Sequence, residues 1–428
     1  MLFDQGNPYR NGLPDILRLE ERDFNFGISP VNLEAVNRNA SWSVFTFMAA
    51  DDPALSASMF DDLLEMKAIG SSSDVHVSAI FIGPMLTDSL FLRLNRGSAF
   101  ADDIILRFFR IRSDPKILKE TITNNAIIYP AEKRMLILSG HGNGWKGLLP
   151  DFQTWKMYMR KGLILQSGDV ESNLRHLQGC HESTIGAIRS RFGPDEDYLG
   201  TRFDVVAFDA CGMANVEAMM VFADHVPFIV ASEGAEPGSG YPYDLILKKL
   251  TDDPGMDPGE LASQVVASVA DFYRSAVEPG LRKMITQAVF DGTHLHGLCG
   301  RIGSLAQALS SSMKKGSVLA ISDCMDHSYF FSDGFMDLIG FALNLEGAWI
   351  SPEISMKARS LIDFYEHSGL VVHKEVAGGK NGPNGLSIYA PRPGEFSRDY
   401  LQLLPLLPAE FSQWNQFLEV YHTGLSDL

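Results

Sequence analysis

The sequence has 428 residues, 45% of them hydrophobic and 21% charged, a balance that is typical of globular proteins and excludes collagen, coiled coils and wholesale disorder. Its 53 acidic residues outnumber its 36 lysines and arginines, for a formal net charge of −17 at pH 7. Because affinity for nucleic acid comes from lysine and arginine, no nucleic-acid partner is expected. No long uninterrupted apolar run is present, so no membrane partner is expected either.

The cysteines and the first residues bear on the cellular compartment. No two cysteines have CxxC spacing, so neither a disulfide framework nor a cysteine-rich zinc site is predicted. The chain opens without the basic and apolar regions of a signal peptide. A cytoplasmic location is therefore expected, and secretion of a protein without disulfides is left open.

The first half of the chain alternates between two kinds of pattern. Residues 1–38 are polar and irregular and are predicted to form an N-terminal arm. Short apolar runs predict strands, and segments of helical spacing predict helices. The strands are expected at 42–48, 74–82, 134–138, 204–208 and 227–231, and the helices at 54–68, at 213–224 and in part of 97–123. This alternation favours an α/β core over residues 39–250, built on a mixed, mostly parallel sheet with helices on both faces.

After residue 250 the pattern becomes mainly helical. Helices are expected at about 258–275, 302–314, 329–345 and 352–367, and strands at 286–290 and 385–389. Residues 251–428 are therefore predicted to form a mainly helical C-terminal part. The late strand at 385–389 is expected to rejoin the sheet of the core.

Two predicted strands end at a reactive side chain. His141 follows one strand and lies between two glycines, Gly140 and Gly142, and Cys211 follows another strand where a helix is expected to start. Ligands of α/β sheets bind beyond the carboxyl ends of strands, and a helix N-terminus favours a thiolate. The pair suggests a cysteine nucleophile with a histidine partner. Alone, each has a simpler interpretation, since a lone cysteine in such a turn usually fills the core. The glycines at 140–144 give only weak support to a nucleotide-binding loop.

Several segments, in order, resemble the clostripain-like cysteine peptidases, peptidase family C11, which are relatives of the caspases in clan CD. The segments are WSVFTFMAAD at 42–51, SGHGNGW at 139–145, DACGMA at 209–214 and SEGAEPGSG at 232–240, with weaker likenesses at 331–338 and 385–391. The resemblance covers about residues 40–420. It implies a caspase-like three-layer α/β sandwich with an added helical C-terminal subdomain.

The resemblance also implies an activity and its residues. The enzyme would be a cysteine endopeptidase that cleaves after arginine or lysine. Cys211 would attack the scissile carbonyl, and His141 would protonate the leaving amine. The backbone N–H groups of Gly142 and Cys211 would form the oxyanion hole. No third member of a triad is apparent in the sequence.

Three further residues are expected to bind substrate. Asp209 matches the pocket acid of the family, Glu233 matches an acidic position in the next loop, and Ser232 is expected at the pocket rim. A carboxylate pairs bidentately with guanidinium, which favours arginine over lysine. Asp209 has an alternative role as a helix N-cap, and Glu233 has one as a solvated loop acid. Trp145 is predicted to pack beside the site.

The segment between the histidine and the cysteine contains many lysines and arginines from 146 to 202. The resemblance implies a zymogen that cuts itself in this interval, whereas an ordinary solvated surface is the alternative. No metal ligands have useful spacing, and calcium, which some members need, has no support from an EF-hand pattern. No cofactor is expected, the partner is a protein or peptide substrate, and the oligomeric state is left open. There are two competing hypotheses. In the first, the protein is an inactive caspase-like scaffold that binds a protein partner. In the second, it is a nucleotide-binding α/β protein.

Overall fold

The computed structural model describes residues 40–85, 89–108, 115–149, 202–276, 278–314, 316–377 and 382–426. The predicted N-terminal arm at 1–38 lies outside these residues. So does most of the basic segment between His141 and Cys211, in which processing is expected.

A large mixed sheet lies at the centre of the described structure. The strands described are β1 (Ala40–Ala49), β2 (Val75–Ile82), β3 (Ser89–Arg93), β4 (Ile104–Phe108), β5 (Ala131–Ser139), β6 (Val205–Asp209), β7 (Phe228–Ser232), β8 (Thr286–Asp291), β9 (Phe335–Asp337), β10 (Val371–Val376) and β11 (Ser387–Tyr389). The large sheet has the order β10-β8-β7-β6-β5-β1-β2-β3-β4, and β9 pairs with β11 in a small sheet. The central strands β2, β1, β5, β6 and β7 are parallel, and both edges are antiparallel.

Helices cover both faces of this sheet. They are α1 (Pro53–Ile69), α2 (Pro115–Ile128), α3 (Val216–Met219), α4 (Tyr243–Asp252), α5 (Pro258–Ser275), α6 (Pro279–Arg282), α7 (Leu295–Met313), α8 (Val318–Asp326), α9 (Leu338–Gly347), α10 (Pro352–His367), α11 (Tyr400–Leu403) and α12 (Phe411–Ser426). Helices α1, α4 and α5 bury apolar side chains in the core on one face, and α7, α9, α10 and α12 do so in the core on the other. This arrangement confirms the predicted three-layer sandwich.

The apolar strands are buried on both faces, which explains why they appear as continuous hydrophobic runs. In β1, Phe45 and Phe47 belong to the core on one face, and Val44 and Met48 belong to the core on the other. Side chains of a strand point alternately to opposite faces, so one run supplies both cores.

Sequence patterns located the central strands better than the edges. The region 97–123, expected to be partly helical, contains the strand β4 as well as α2. No strand was predicted at β3 or β10. β10 reads VVHKEV, and at the sheet edge none of its residues is fully buried. An edge strand has one solvated side and therefore lacks the apolar run that identifies a central strand.

The prediction that strand 385–389 rejoins the main sheet is wrong. Residues Ser387–Tyr389 pair antiparallel with β9, and an isolated bridge between Ser387 and Asn215 joins them to the segment after β6 rather than to a strand of the main sheet. The edge next to β7 is instead occupied by β8, which in turn pairs with β10. The C-terminal part thus contributes two strands to the main sheet, and residue 250 falls between strands of one sheet.

A buried carboxyl group on α3 links this helix to β11 and α11. Oε1 of Glu217 accepts hydrogen bonds from the Tyr389 N–H at 3.0 Å and from the Tyr400 hydroxyl at 3.1 Å. No donor reaches its Oε2 within the described residues. Burial raises the pKa of Glu217 to about 7, against the lowering effect of these hydrogen bonds.

This carboxyl makes stability depend on pH. Because the folded state holds the proton of Glu217 more tightly than the unfolded state, folding stability contributed by this group is complete below about pH 4.5 and is lost as the pH rises through about 7. The rise of the Glu217 pKa from 4.5 to about 7 corresponds to a loss of about 3 kcal/mol of folding free energy at pH 8. We therefore expect Glu217→Gln, which cannot ionise, to gain stability over the wild type by up to that amount between pH 5 and pH 8, measured by urea unfolding.

The matched control is Glu353→Gln, which removes an exposed carboxylate from the first turn of α10. Its unfolding free energy should follow that of the wild type at both pH values. Equal pH dependence of the Glu217→Gln variant and the wild type would contradict the titration assigned to Glu217.

Candidate active site

Three loops meet at the carboxyl edge of the central strands. Ser139, the last residue of β5, pairs with Met48 of β1 on one side and with Asp209 of β6 on the other. The strands are parallel, so the segments that follow them emerge at the same edge. The loop with His141 therefore lies between the end of β1 and the turn that carries Cys211.

The histidine loop packs directly against the cysteine turn. A Cβ atom added to Gly142 would lie 2.6 Å from the carbonyl oxygen of Cys211 and 3.0 Å from the Cβ of Ala210. Real Cβ atoms do not approach a backbone oxygen this closely, so the contact requires glycine. Within the described part of the chain, neither the Gly142 N–H nor the Cys211 N–H donates to a backbone carbonyl.

Backbone contacts fix the path of the histidine loop. The Gly140 N–H donates to the Asp209 carbonyl at 3.1 Å, and the Leu149 N–H donates to the His141 carbonyl at 2.8 Å. Gly140 has a φ of +146°, a conformation that side chains rarely adopt. The position of His141 is therefore set by the sheet edge itself.

Trp145 lies at the far side of this loop and is buried. Its ring packs against those of Tyr389 and Tyr400, with centroid distances of 5.0 and 5.3 Å. These contacts with the C-terminal part of the chain agree with the predicted packing role.

His141 has a carboxylate neighbour that the sequence did not indicate. Its Nε2 lies 2.9 Å from Oδ2 of Asp52, the residue before α1. The His141 side chain is 40% exposed and that of Asp52 is 15% exposed. The histidine is therefore reachable from solvent while its carboxylate partner is largely covered.

Cys211 is half-buried and held by a neighbouring loop. The Glu236 N–H donates to its Sγ at 3.3 Å, and the Glu236 carbonyl accepts from Sγ at 3.8 Å. Burial raises the pKa of the Cys211 thiol; the Glu236 N–H opposes this, and the charge of Asp209 adds to it. The thiol form is thus favoured in this state.

The expected helix does not start at Cys211. Residues 211 and 212 form a turn, and α3 begins only at Val216, where Asn215 caps it by accepting from the Ala218 N–H at 3.1 Å. The prediction of a thiolate at a helix N-terminus is therefore wrong. The alternative role of Asp209 as the helix cap is also excluded, because Asn215 fills it.

The other described cysteines are less suited to react. Cys299 and Cys324 are buried, and burial raises the pKa of both thiols, to about 11 for Cys324. Cys180 lies outside the described residues.

Asp209 belongs to a group of buried acids. Its Oδ2 accepts from the Tyr243 hydroxyl at 2.8 Å and from the Ser139 hydroxyl at 3.0 Å. A Cβ atom added to Gly240 would lie 3.0 Å from Oδ2 of Asp209 and 3.0 Å from Oδ2 of Asp62. The two carboxyl groups therefore line the same small space.

Glu236 is the third acid of this group, which we call the acid cluster: Asp62, Asp209 and Glu236. Its carboxyl accepts from the Gln287 amide through Oε1, while Oε2 has no donor among the described residues. Burial, and then the charge of Asp209, raises the pKa of Glu236 well above its usual value. The same two causes raise the pKa of Asp62 to about 9.

No described lysine, arginine or histidine forms an ion pair with any member of the acid cluster. Buried carboxylates are costly without a positive partner. In keeping with this cost, the raised pKa values of Asp62 and Glu236 favour their protonated forms.

The other two predicted pocket residues, Glu233 and Ser232, make contacts away from the acid cluster. Glu233 is buried, its Oε2 accepts from the Gly385 N–H at 2.6 Å, and burial together with the charge of Asp337 raises its pKa well above the usual value. The Ser232 hydroxyl lies 2.7 Å from that of Thr286. The acidic residue that lies beside Cys211 is Glu236. In the sequence, only its position in the same loop as Glu233, directly before Pro-Gly, could have indicated this.

The described residues contain no group of three or more histidine, cysteine, aspartate or glutamate side chains arranged to hold a metal ion. Among the helices there described, none is long and apolar enough to cross a membrane.

Comparisons with known proteins agree with this architecture. Two structures of a secreted C11 cysteine protease from Bacteroides thetaiotaomicron are similar, one in complex with an irreversible peptide inhibitor and one called iotapain, with TM-scores of 0.58 and 0.59 and identities of 16% and 13%. The matches cover 87% and 88% of this chain and 99% of each of those chains. At such identities the likeness shows the fold.

A third similar structure is that of an inactive zymogen C11 protease from Parabacteroides distasonis, with a TM-score of 0.55 and 16% identity over 90% of this chain and 97% of that one. A comparison with curated proteins gave no match. The model of the clostripain family, peptidase C11, matches residues 46–419. Because that match covers most of the sequence, this chain belongs to the clostripain family of cysteine peptidases.

Proposed function

We propose that this peptidase is an endopeptidase that cleaves proteins or peptides after arginine or lysine. The observation that carries the proposal is the acid cluster beside Cys211, which lacks a basic partner in the described structure. A positively charged substrate side chain would satisfy these carboxyl groups and place its own carbonyl near the thiol. The protein or peptide nature of the substrate follows from the family.

Electrostatics explains why the pocket would select for charge. A buried ion is tolerated when it is paired and hydrogen-bonded, so a guanidinium group offsets the cost of ionising Asp209 and Glu236. A neutral side chain of similar size would leave that cost in place. The planar guanidinium forms paired hydrogen bonds with carboxylates, so we propose that arginine is preferred to lysine.

The proposed chemistry uses two side chains. The Cys211 thiol loses its proton to His141, and its sulfur attacks the scissile carbonyl. His141 then donates a proton to the leaving amine as the peptide bond breaks, which leaves an acyl group on Cys211. Water, deprotonated by His141, attacks this thioester and releases the acid product and the thiol.

The negative charge that develops on the carbonyl oxygen needs donors. The N–H groups of Gly142 and Cys211 lie on two segments that touch at the Cys211 carbonyl, and both lack a backbone acceptor in the described structure. Preorganised donors of this kind stabilise a transition state because they need no rearrangement during the reaction. We assign the oxyanion hole to these two groups.

Glu233 and Ser232 have a supporting role in this proposal. Their contacts with Gly385 and Thr286 hold the start of the loop that carries Glu236. Self-cleavage of a zymogen within about 146–202 stays a prediction, as do the cytoplasmic location and the expectation of no cofactor, with calcium left open. Residues 150–201 of that interval lie outside the described structure.

The basic test of the function uses peptide-coumarin substrates that end in arginine, lysine, aspartate or alanine. We expect turnover after arginine, less after lysine, and none after aspartate or alanine, because only a cation satisfies the acid cluster. Cys211→Ala should abolish turnover, while Cys324→Ala, at a buried cysteine remote from the site, should retain it. Turnover that survives in the Cys211→Ala variant would contradict the nucleophile, and cleavage after aspartate would contradict the pocket.

The pocket is tested by removing charge without changing shape. Asp209→Asn should lower kcat/KM for an arginine substrate by about 100- to 1000-fold, since a buried ion pair loses one partner. Glu236→Gln should cause a smaller loss of about 10-fold. The control substrate has citrulline in place of arginine, which is neutral and nearly isosteric. An equal loss with both substrates would show that the acids act through structure rather than charge.

Gly142→Ala tests the close contact between the two loops. The added Cβ would meet the Cys211 carbonyl oxygen at 2.6 Å, so the loops must separate and the proposed donors lose their alignment. We expect kcat to fall by about 100-fold or more, as for the loss of one oxyanion donor. The control is Gly300→Ala on α7, where an added Cβ meets nothing within 4 Å. Full activity of Gly142→Ala would overturn this assignment.

A further inference from the structure

We infer that Asp52 positions His141 for catalysis, so that the site works as a cysteine, a histidine and an orienting carboxylate. The motif at the end of β1 gave no sign of this role, and no third residue was expected from the sequence. The inference rests on the proposed catalytic role of His141 and deepens it. It starts from the contact of 2.9 Å between Nε2 of His141 and Oδ2 of Asp52.

The sheet order brings these residues together. β5 lies between β1 and β6, so the histidine loop has the end of β1 on one flank and the cysteine turn on the other. Asp52 comes shortly after β1, and Gly142 touches the Cys211 turn. The three side chains are therefore carried by three neighbouring strand ends, with His141 in the middle.

The carboxylate is held independently of the histidine. Oδ1 of Asp52 accepts from the Ala54 N–H at 3.0 Å, and its carbonyl accepts from the N–H groups of Leu55 and Ser56 at 3.0 and 2.9 Å. These contacts make Asp52 the N-cap of α1, a helix of 17 residues with a buried apolar face. The two carboxylate oxygens have separate partners, since Oδ1 caps the helix and Oδ2 faces the imidazole.

A negative charge is favoured at this point. The N-terminus of a helix stabilises anions through its unpaired N–H groups and its dipole. A carboxylate can only accept, so the Nε2 atom that faces it carries the proton. In the neutral ring this leaves the lone pair on Nδ1, the atom that can then take a proton from the thiol. The carboxylate also stabilises the imidazolium that results.

A purely structural role for Asp52 predicts a different outcome. If the residue only caps α1, any good cap should serve as well, and asparagine and serine are both good caps. If it positions His141, the charge and the reach of the side chain matter. Asp52→Asn keeps the reach and removes the charge, whereas Asp52→Ser keeps the cap and cannot reach the ring.

The kinetic experiment compares these variants with the wild type on an arginine substrate. We expect kcat to fall by about 10- to 100-fold in Asp52→Asn and further in Asp52→Ser, with KM changed by less than about 2-fold, because the pocket is untouched. Asp257→Asn is the matched control. Asp257 is likewise an N-cap followed by proline, and its side chain accepts from the Glu260 N–H at 2.9 Å, one position further along its helix than the N–H that Asp52 caps. Unchanged kcat in both Asp52 variants would overturn the inference.

A spectroscopic measurement separates failure of this inference from failure of the proposed function. In the Cys211→Ala protein, with histidines labelled with ¹⁵N, the ring of His141 should be the Nε2–H tautomer at pH 8, assigned by its loss in His141→Gln. Adding Asp52→Ser should convert this signal to a mixture of tautomers. A His141 ring that rests as the Nδ1–H tautomer beside an intact Asp52 would overturn the inference, whether or not the protein cleaves any substrate.

Discussion

The site depends on the double pairing of β5, whose last residue is in register with β1 on one side and β6 on the other. This register makes three segments leave the sheet at the same edge, and hydrogen bonds of the strands hold them there. The tight contact between Gly142 and the Cys211 carbonyl follows from it. A shift of one residue in either pairing would move Asp52, His141 and Cys211 out of reach of each other.

The same edge carries an electrostatic conflict. The acid cluster lies beside a thiol, and negative charge on Asp209 disfavours the thiolate of Cys211. The Glu236 loop supplies both a carboxyl of the cluster and the N–H that contacts the sulfur. A cation that enters the cluster reduces the field that the thiol experiences. By this reasoning, the charge of a substrate and the reactivity of the nucleophile are linked through one loop.

Sequence reasoning recovered the features that are local in the chain. Central strands are apolar throughout because both faces are buried, and His141 and Cys211 each directly follow such a strand. The edge strand β10 was missed because one of its sides is solvated and its pattern is polar. The pairing of β11 with β9 could not be seen, since three-residue strands carry no periodic signal.

Contacts between distant segments explain the remaining differences at the site. Asp52 and His141 are 89 positions apart, so their contact depends on the order of strands in the sheet. Glu236 and Glu233 stand in one loop and have the same side chain, so only the path of the backbone decides which one faces Asp209. Asn215 was not recognised as the helix cap, because the turn at Cys211 delays the helix by several residues.

The order of strands also determines what a single cut between β5 and β6 would produce. One fragment would contain β1 to β5 and the other β6 to β11, and the boundary between them would run along the β5–β6 pairing at the middle of the sheet. Asp52, His141 and Asp62 would belong to the first chain, and Cys211 and the rest of the acid cluster to the second. The cleaved protein would thus be an obligate heterodimer with its active site at the subunit interface.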